Sequence, residues 1–395
     1  MERSRDELLL IPGPTEVSER VLRAMFRPAI GSGDPRFIQT LEQACEMLRS
    51  VFKTRNEIII PPGSGTFATE AAAVSLIEPG DKVLVTVNGV YGRQFLNVVK
   101  RVGAKPIKLE VNWRNSIDPD MVKEKLETIK DIKMVCVVHS ETTTGIANPI
   151  SEIGRIASDH DCLYLVDSVS SLGGLDVRTD EWKIDINCSG SQKCLGALPG
   201  LALLAVSNRA WEVMSKRKCP PNSFSLDLYR WMQLWIPRER GGKLVWGKRK
   251  SPYTLSTHLV YALNEALKII LEEGLDNVLE RHRKSGAAMR TGVKTIGFEL
   301  YPRSESFASD IVTGIVDPKV TNTDIIHVLR ERFGIIIGGG LEDLSGEILR
   351  IAHMCNTANR TTVLRVLMAL EEIMANQGWK VNRRKVIEAT NAILA

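Results

Sequence analysis

Three features of the sequence carry residue types that could take part in chemistry. A glycine-rich turn at residues 63–66 stands before a helical pattern, and the free N–H groups of a helix start suit a phosphate. Asp167 follows the apolar run 163–166, and in an α/β sheet the carboxyl end of a strand lies at the ligand crevice. Lys193 follows the next apolar run, where burial would lower the pKa of an amine and make it a nucleophile toward aldehydes.

Each feature taken alone also has a simpler explanation. Residues 63–68 fit the G-x-G-x-x-A form of the dinucleotide fingerprint, but that site wants an acid at the end of the second strand. Here the run 82–87 is followed by Asn88 and Gly89 instead. A tight turn without a ligand, a helix cap at Asp167 and a surface lysine at Lys193 therefore stay open at this point.

The three features in combination favour one cofactor, pyridoxal 5′-phosphate (PLP). Its phosphate needs a helix start, its pyridine nitrogen needs an acid that keeps it protonated, and its aldehyde needs a lysine that forms an imine. A nucleotide-binding oxidoreductase could use the glycine-rich turn but would leave the pairing of Asp167 with Lys193 unexplained. A noncatalytic scaffold with the same sheet would not need the lysine.

Composition and motifs exclude several other classes of protein. The chain has 395 residues, 44% of them hydrophobic and 25% charged, which is typical of an ordinary globular protein of two or three domains. A net charge of +5 is too weak to indicate a nucleic-acid partner. The sequence contains no H-E-x-x-H, no zinc-spaced Cys/His pairs, no G-x-S-x-G and no P-loop, so we expect neither a metal site nor those hydrolases.

Cysteine usage and the lengths of apolar runs bear on location. The seven cysteines are scattered without a C-x-x-C, and several lie in apolar runs, as reduced core cysteines do. The charged start of the chain leads into only four apolar residues, 8–11, far short of a signal peptide. No run approaches the ~18 residues that a membrane span needs. We therefore expect a cytoplasmic protein with small-molecule substrates and neither a membrane nor a nucleic-acid partner.

Short apolar runs alternate with helical patterns between about residues 56 and 208. Most of the runs lack polar alternation, as do strands that helices cover on both faces. They predict an α/β fold with a mostly parallel seven-stranded sheet. The predicted strands are Glu57–Ile60, Lys82–Val87, Lys105–Val111, Met134–Val138, Cys162–Val166, Ile184–Cys188 and Leu201–Ser207, and the predicted helices are Phe37–Phe52, Asp118–Ile129 and Pro149–His160.

The second half of the chain has a different pattern. Residues 220–252 contain Trp, Pro and Gly in a mixture that predicts an irregular segment. We expect the basic clusters at 248–250 and 383–385 to lie on the solvated surface, and we assign no role to the basic segment 241–250. A long helical pattern then runs from Thr257 to Arg290 with a break at Gly274.

The remainder predicts a smaller α+β domain. Its apolar runs are Gly297–Tyr301, Ile311–Val316, Ile335–Ile337 and Leu349–Ala352, and its helices are Asn322–Phe333 and Thr361–Asn376. We therefore expect an amino-terminal arm at residues 1–18, a large PLP-binding domain at 19–273 and a small C-terminal domain at 274–395.

Seven short strings, in order along the chain, resemble those of the class V PLP-dependent aminotransferases. They are IPGPT at 11–15, GSGT at 63–66, EPGD at 78–81, NGVYG at 88–92, ETTTG at 141–145, VDSVS at 166–170 and SGSQK at 189–193. The strings are most similar to the alanine–glyoxylate and serine–pyruvate aminotransferases and their ureidoglycine–glyoxylate relatives, and the likeness spans about residues 8–375. It implies the fold type I of PLP-dependent transferases and a homodimer with shared active sites.

The resemblance implies roles for individual residues. Lys193 would form the Schiff base with PLP, and Asp167 would pair with the pyridinium nitrogen. Tyr91 would stack on the ring, and Thr142 would lie near the ring hydroxyl. The phosphate would be held by Ser64, Gly65, Thr66 and Gln192, and by Thr254 of the neighbouring subunit.

Substrate recognition points to Arg350, because a guanidinium fork matches an α-carboxylate through two charge-assisted hydrogen bonds. Gly13 belongs to the arm that would cross toward the substrate. Three glycines at 338–340 indicate a backbone that passes close to a ligand or forms a flap. Residues 31–35 replace a His-containing stretch of many relatives, which leaves the preferred amino acid open.

The activity that the resemblance implies is a ping-pong transamination. An amino group would pass from alanine or serine to glyoxylate or pyruvate, with freed Lys193 as general base. Ureidoglycine–glyoxylate transamination is one alternative. A PLP-dependent lyase or cysteine desulfurase is another, but residues 338–347 lack the cysteine it would want there, and Cys194 and Cys355 are better explained as core residues.

Overall fold

The computed structural model describes residues 7–236, 249–319 and 324–395, together with the backbone of 238–240 and 243–246. Its strands are β1 Leu8–Leu10, β2 Glu57–Ile59, β3 Pro62–Gly63, β4 Lys82–Val87, β5 Lys105–Glu110, β6 Ile132–Val138, β7 Ser140–Glu141, β8 Ile146–Ala147, β9 Leu163–Asp167, β10 Ile186–Gly190, β11 Gly200–Val206, β12 Arg238–Arg240, β13 Lys243–Trp246, β14 Val312–Val316, β15 Ile335–Gly339 and β16 Ile348–Ala352. Its α-helices are α1 Glu19–Arg23, α2 Pro35–Phe52, α3 Gly65–Leu76, α4 Val90–Arg101, α5 Pro119–Thr128, α6 Ile150–Asp159, α7 Asn208–Ser215, α8 Leu228–Trp235, α9 Thr257–Glu273, α10 Leu275–Ile296, α11 Ile325–Phe333, α12 Arg360–Asn376 and α13 Arg383–Leu394.

The large sheet has the strand order β2-β11-β10-β9-β6-β4-β5, and the short β3 pairs with β11 beside this path. The strands from β10 to β5 run parallel, whereas β11 is antiparallel to both β10 and β2. The prediction of an α/β fold with a mostly parallel sheet of seven strands is confirmed, and β3 is a two-residue addition.

Residues along β4 alternate between two hydrophobic clusters, one on each face of the sheet. Val83 and Val85 pack in the cluster that includes helices α2, α3 and α4. Leu84, between them, packs in the cluster that includes α5 and α6. Because both faces are buried, the strand needs no polar alternation, which is the pattern that identified it in the sequence.

The smaller sheet has the order β1-β15-β16-β14 and packs with α10 to α13. Its first strand comes from the start of the chain: Leu8–Leu10 lies parallel to β15, and Leu10 is fully buried among residues of the small core. The arm therefore has a strand that is part of this sheet. Gly274 separates α9 from α10, and the domain limits drawn from the sequence stay a prediction.

The segment predicted to be irregular, residues 220–252, contains helix α8 and the hairpin of β12 and β13, so that prediction was wrong. Asp227 caps α8 by accepting a hydrogen bond from the N–H of Arg230. Trp231 and Trp235 are fully buried one turn apart. The cap and the spacing were readable in the sequence, but the neighbouring prolines and glycines obscured them.

The run 297–301 forms only an isolated bridge between Leu300 and Ile315 rather than a strand. Helix α11 begins at Ile325, and residues 322–323 of the predicted helix lie outside the described residues. The C-terminal helix α13 was not predicted. Side chains of residues 237–248, which include most of the basic segment 241–250, also lie outside the described part of the chain.

Arg249 was expected on the solvated surface, and this expectation was wrong. Its side chain is 5% exposed and lies between the carboxylates of Glu42 and Glu57. The guanidinium also lies over the ring of Trp235, 5.4 Å from its centroid. Two carboxylates and an aromatic face replace the water that an isolated charge would need, and this is why the arginine can be buried.

Arg249→Ala should lower the free energy of unfolding by about 2–3 kcal/mol, because it leaves the carboxylate of Glu42 without its cation and that of Glu57 with Arg49 alone. Urea unfolding followed by circular dichroism measures the effect. Arg384→Ala is the matched control, since Arg384 is 88% exposed in its pair with Glu388; it should change stability by less than ~1 kcal/mol. Equal effects of the two substitutions would contradict the prediction.

Candidate active site

The carboxyl ends of the parallel strands bring the predicted site residues to one edge of the large sheet. Asp167 is the last residue of β9 and pairs in register with Cys188 of β10. The chain continues from β10 to Lys193. On the other side of β9, β6 leads into Thr142 through β7. This edge is where ligands bind in open α/β sheets.

A cavity of about 140 Å³ lies at this edge. Every predicted cofactor contact except Thr254 lines it, together with side chains from α3, α4 and the strand ends. The lining residues are Ser64, Gly65, Thr66, Thr69, Tyr91, Gln94, Phe95, Val138, Ser140, Thr142, Asp167, Val169, Ser170, Gln192 and Lys193. Residues that are far apart in sequence thus surround one space large enough for a small organic molecule.

Helix α3 begins at the cavity. Ser64 is its N-cap, and its hydroxyl accepts a hydrogen bond from the N–H of Phe67. Gly65 is required by close packing, since a Cβ there would lie 2.4 Å from a methyl group of Val169. The first N–H groups of the helix have no partner within the helix, so the site offers donors and a positive dipole end to an anion.

Asp167 and Lys193 both have shifted pKa values because they are removed from water. Burial raises the pKa of Asp167 to about 7, although the N–H of Val169 donates to its Oδ1 at 2.9 Å and favours the charged form. Burial lowers the pKa of Lys193 to about 8. Near neutral pH the neutral fraction of this lysine is therefore far larger than that of an ordinary lysine, as a nucleophile or general base requires.

The amino-terminal arm covers Lys193. The Nζ of Lys193 donates a hydrogen bond to the carbonyl of Pro12. A Cβ on Gly13 would lie 2.4 Å from that Nζ, so a larger residue here would force the amine to move. Thr15 fixes the arm in place: its hydroxyl donates to the carbonyl of Lys193 at 2.9 Å, and its N–H donates to the carbonyl of Gln192 at 3.0 Å.

Arg350 lies beside the cavity without lining it. Its Nε donates to the carbonyl of Gly339 at 2.7 Å, and its Nη1 donates to the carbonyl of Thr142 at 3.2 Å. The side chain is nearly buried, and burial lowers the pKa of the guanidinium. Gly338 passes close by, since a Cβ there would lie 3.3 Å from Nη2. Thr254 is exposed and does not line the cavity.

The chain is similar to known proteins over nearly its whole length. The family model for aminotransferase class-V matches residues 20–366. An aminotransferase of Methanocaldococcus jannaschii, described as uncharacterized, is 39% identical over 388 residues, which cover 98% of each chain. An alanine–glyoxylate aminotransferase of Callithrix jacchus is 34% identical over 369 residues, 93% of this chain and 87% of that protein.

The chain belongs to the class V aminotransferases. Among solved structures, ureidoglycine–glyoxylate aminotransferase from Bacillus subtilis superposes with a TM-score of 0.90 at 32% identity and covers 99% of this chain and 98% of that one. The fold class predicted from the sequence and the family resemblance drawn from the seven strings are both confirmed.

Class V aminotransferases depend on PLP, and the cavity of this aminotransferase fits that group. The start of α3 offers N–H donors for a phosphate, Asp167 offers a carboxylate for a pyridinium nitrogen, and Lys193 offers an amine for an aldehyde. The Oε1 of Gln192 is buried with no hydrogen-bond partner among the described residues. Such an atom is costly in an empty site and would be satisfied by a polar ligand.

Sequence reasoning missed two kinds of residue in this aminotransferase. Gln94, Ser140 and Ser170 line the cavity without an assigned role. Gln94 stands one helical turn after Tyr91, and that spacing was a usable signal. Glu141 lay inside a recognised string, but nothing in the sequence indicated that its carboxylate is fully buried.

The lowered pKa of Lys193 predicts a pH-dependent stability of the cofactor-free aminotransferase. Between about pH 8 and the ordinary lysine value of 10.5, the unfolded chain binds a proton that the folded chain has released. Stability therefore rises with pH through this window. We expect the free energy of unfolding of the wild type, minus that of Lys193→Met, to increase from pH 8 to pH 10.

Urea unfolding at a series of pH values measures this difference. Lys216→Met is the control, because Lys216 is 71% exposed in its pair with Glu212. Its difference from the wild type should stay within ~1 kcal/mol, because an exposed ion pair contributes little to stability. A pH-independent difference for Lys193→Met would show that the amine of Lys193 titrates as it does in the unfolded chain.

Proposed function

We propose that this aminotransferase transfers an amino group from a small amino acid, alanine or serine, to a small 2-oxo acid, glyoxylate or pyruvate, by a ping-pong reaction with PLP. The observation that carries the proposal is the buried amine of Lys193 in the same cavity as Asp167 and the start of α3. The alanine–glyoxylate aminotransferase of C. jacchus, 34% identical, supports the substrate class.

Lys193 would have two tasks in this reaction. Its amine would hold the cofactor aldehyde until the amino acid displaces it. The freed amine would then take the proton from the α-carbon of the substrate and deliver it to the cofactor. A pKa near 8 suits both tasks, because the neutral form is accessible and the protonated form is still a usable acid.

Asp167 would control the charge of the cofactor ring. Bound PLP supplies an electron sink for the carbanion that forms at the α-carbon of the substrate. A carboxylate at the pyridine nitrogen keeps that nitrogen protonated, because the ion pair favours both charged forms. The pKa of Asp167, raised to about 7 by burial, would fall beside a pyridinium cation.

Arg350 would bind the α-carboxylate of both the amino acid and the oxo acid. Two of its nitrogens are held by the carbonyls of Gly339 and Thr142, which orients the guanidinium. Among the described residues that line the cavity, Lys193 is the only cationic one. A dicarboxylate would need a second cationic receptor, so the arrangement favours monocarboxylate substrates.

The roles of the other site residues and the assembly belong to the same proposal. Ser64, Gly65, Thr66 and Gln192 would hold the phosphate, Tyr91 would stack on the ring, Thr142 would contact the ring hydroxyl, and Gly13 would admit the substrate beside Lys193. Thr254 would reach the phosphate of a neighbouring subunit, which makes the enzyme a homodimer with shared sites. Thr254 is exposed and does not line the chain's own cavity, which supports that arrangement.

Location is proposed on the state of the cysteines. All seven are unpaired, and all but Cys219 are buried, as in proteins of the reducing cytoplasm. Separately, the described helices include none that is both long and apolar enough to span a bilayer.

Ureidoglycine–glyoxylate transamination is the second candidate, favoured by the close superposition on the B. subtilis enzyme of that name. The amino donor separates the two. Initial rates with alanine, serine, glycine, glutamate and ureidoglycine as donors, each against glyoxylate and pyruvate, decide between them. A lyase or cysteine desulfurase is disfavoured because residues 338–347 contain no cysteine.

Treatment of the PLP-loaded protein with borohydride should attach the cofactor irreversibly to Lys193, since the amine and the aldehyde form a reducible bond. Peptide mapping by mass spectrometry identifies the labelled residue. Lys193→Ala should remain folded, lose the yellow colour on dialysis and take up no label. Labelling of another lysine, or of none, would refute the proposed function.

Arg350→Ala should raise the KM for amino acid and oxo acid together, by about 10- to 100-fold, the effect of losing hydrogen bonds of about 1.5–3 kcal/mol to a charged group. Arg350→Lys should lie between the wild type and the alanine variant, since it keeps the charge and loses the fork. Steady-state kinetics with both substrates measure the effect. An unchanged KM in Arg350→Ala would remove this residue from the substrate site.

A further inference from the structure

Glu141 is a fully buried carboxylate at the edge of the large sheet. Its Oε2 accepts hydrogen bonds from the N–H groups of Tyr91 at 3.0 Å and Gly92 at 3.1 Å. Its Oε1 accepts from the N–H of Thr143 at 3.0 Å. Both oxygens are thus used as acceptors for backbone donors.

These bonds make Glu141 the cap of helix α4, supplied from a distant part of the chain. The residue at the N-cap position of α4 is Gly89, which has no side chain that could accept a hydrogen bond. The first N–H groups of a helix need acceptors, and a carboxylate there is also favoured by the helix dipole. The carboxylate of Glu141 meets both needs.

Gly89 leaves the space that Glu141 occupies. A Cβ at this position would lie 2.3 Å from both Cγ and Cδ of Glu141. The φ angle of Gly89 is 172°, an extended conformation that any residue adopts, so space and not backbone strain requires glycine here. The position after β4, where a dinucleotide site would have an acid, is thus a glycine beside the side chain of Glu141.

The same carboxylate joins two residues that line the cavity. Tyr91 lies in the first turn of α4. Thr142 lies between Glu141 and Thr143, the residue whose N–H donates to the Oε1 of Glu141. The carbonyl of Thr142 in turn accepts a hydrogen bond from Arg350. Movement of Glu141 would therefore displace an aromatic ring and a hydroxyl of the cavity and disturb one support of the guanidinium.

We propose that Glu141 is a positioning residue, which fixes the ring of Tyr91 and the hydroxyl of Thr142 in the orientation that PLP requires. The inference rests on the proposed function of the cavity as the PLP site. Glu141 touches neither cofactor nor substrate in this proposal. It acts through two residues on separate elements, which the covalent chain alone does not hold together.

Glu141→Gln tests the proposal, because the amide has nearly the same shape but carries one NH₂ group in place of an acceptor. In either amide orientation that NH₂ group faces a backbone N–H. In the cofactor-free protein we expect faster hydrogen exchange at the amides of Tyr91, Gly92 and Thr143. With PLP we expect about a fivefold weaker Kd, since a lost helix cap is worth about 1 kcal/mol, and an altered visible circular dichroism of the bound cofactor.

Gly89→Ala is an independent variant, since it keeps Glu141 and pushes its carboxylate away from α4. We expect the same three changes. Glu371→Gln is the matched control: Glu371 is also a buried glutamate, 7% exposed, but it pairs with Arg383 far from the cavity in sequence and fold. It should lower stability without changing the PLP Kd or the dichroism.

The outcomes separate this inference from the proposed function. Unchanged exchange and an unchanged PLP Kd in both Glu141→Gln and Gly89→Ala would overturn the role of Glu141, while borohydride labelling of Lys193 in the wild type would still support the PLP site. An equal loss of PLP affinity in Glu371→Gln would also overturn it, because the effect would then follow from general destabilisation. Absence of Lys193 labelling in the wild type would instead overturn the function itself.

Discussion

The amine of Lys193 is held out of water, and the rest of the site is arranged around that constraint. Removal from water lowers its pKa to about 8, and the carbonyl of Pro12 gives its Nζ a hydrogen-bond partner that carries no negative charge. A carboxylate in that position would stabilise the protonated form and leave the amine unreactive. A neutral acceptor satisfies the hydrogen bond and still leaves the neutral amine accessible.

The partner of the amine comes from the arm, and the arm connects both parts of the structure. Its first residues form β1 in the small sheet, next to β15. Farther along, Thr15 binds the backbone around Lys193 on the large sheet. Between these points Pro12 lies against Gly338, where a Cβ would be 3.1 Å from its Cδ. The amine of Lys193 and the guanidinium of Arg350 therefore donate hydrogen bonds to two backbone segments that lie side by side, the arm at Pro12 and the end of β15 at Gly339.

Two carboxylates at the same edge, half-buried Asp167 and fully buried Glu141, differ in their hydrogen-bond partners and therefore in their uses. Asp167 receives one backbone N–H and lines the cavity, so much of its hydrogen-bonding capacity is available to a ligand. Glu141 accepts hydrogen bonds from three backbone N–H groups, and these bonds stabilise the start of α4 and the turn after β7. The number of internal donors decides which carboxylate is structural and which can meet a cofactor.

Helices and strands whose sequence pattern depends only on neighbouring residues could be predicted from the sequence alone. Strands that are buried on both faces have unbroken apolar sequences, so most of the large sheet could be predicted to within a few residues. Asp118 before a proline is typical of a helix start, and it predicted α5 in the same way. Lys193 and Asp167 could be named because each follows such a strand. Features that depend on contacts between distant residues could not be predicted from the sequence. The burial of Arg249 and Glu141, and the pairing of β1 with β15, each depend on partners many residues away, and no local pattern encodes which distant group will replace water around a charge.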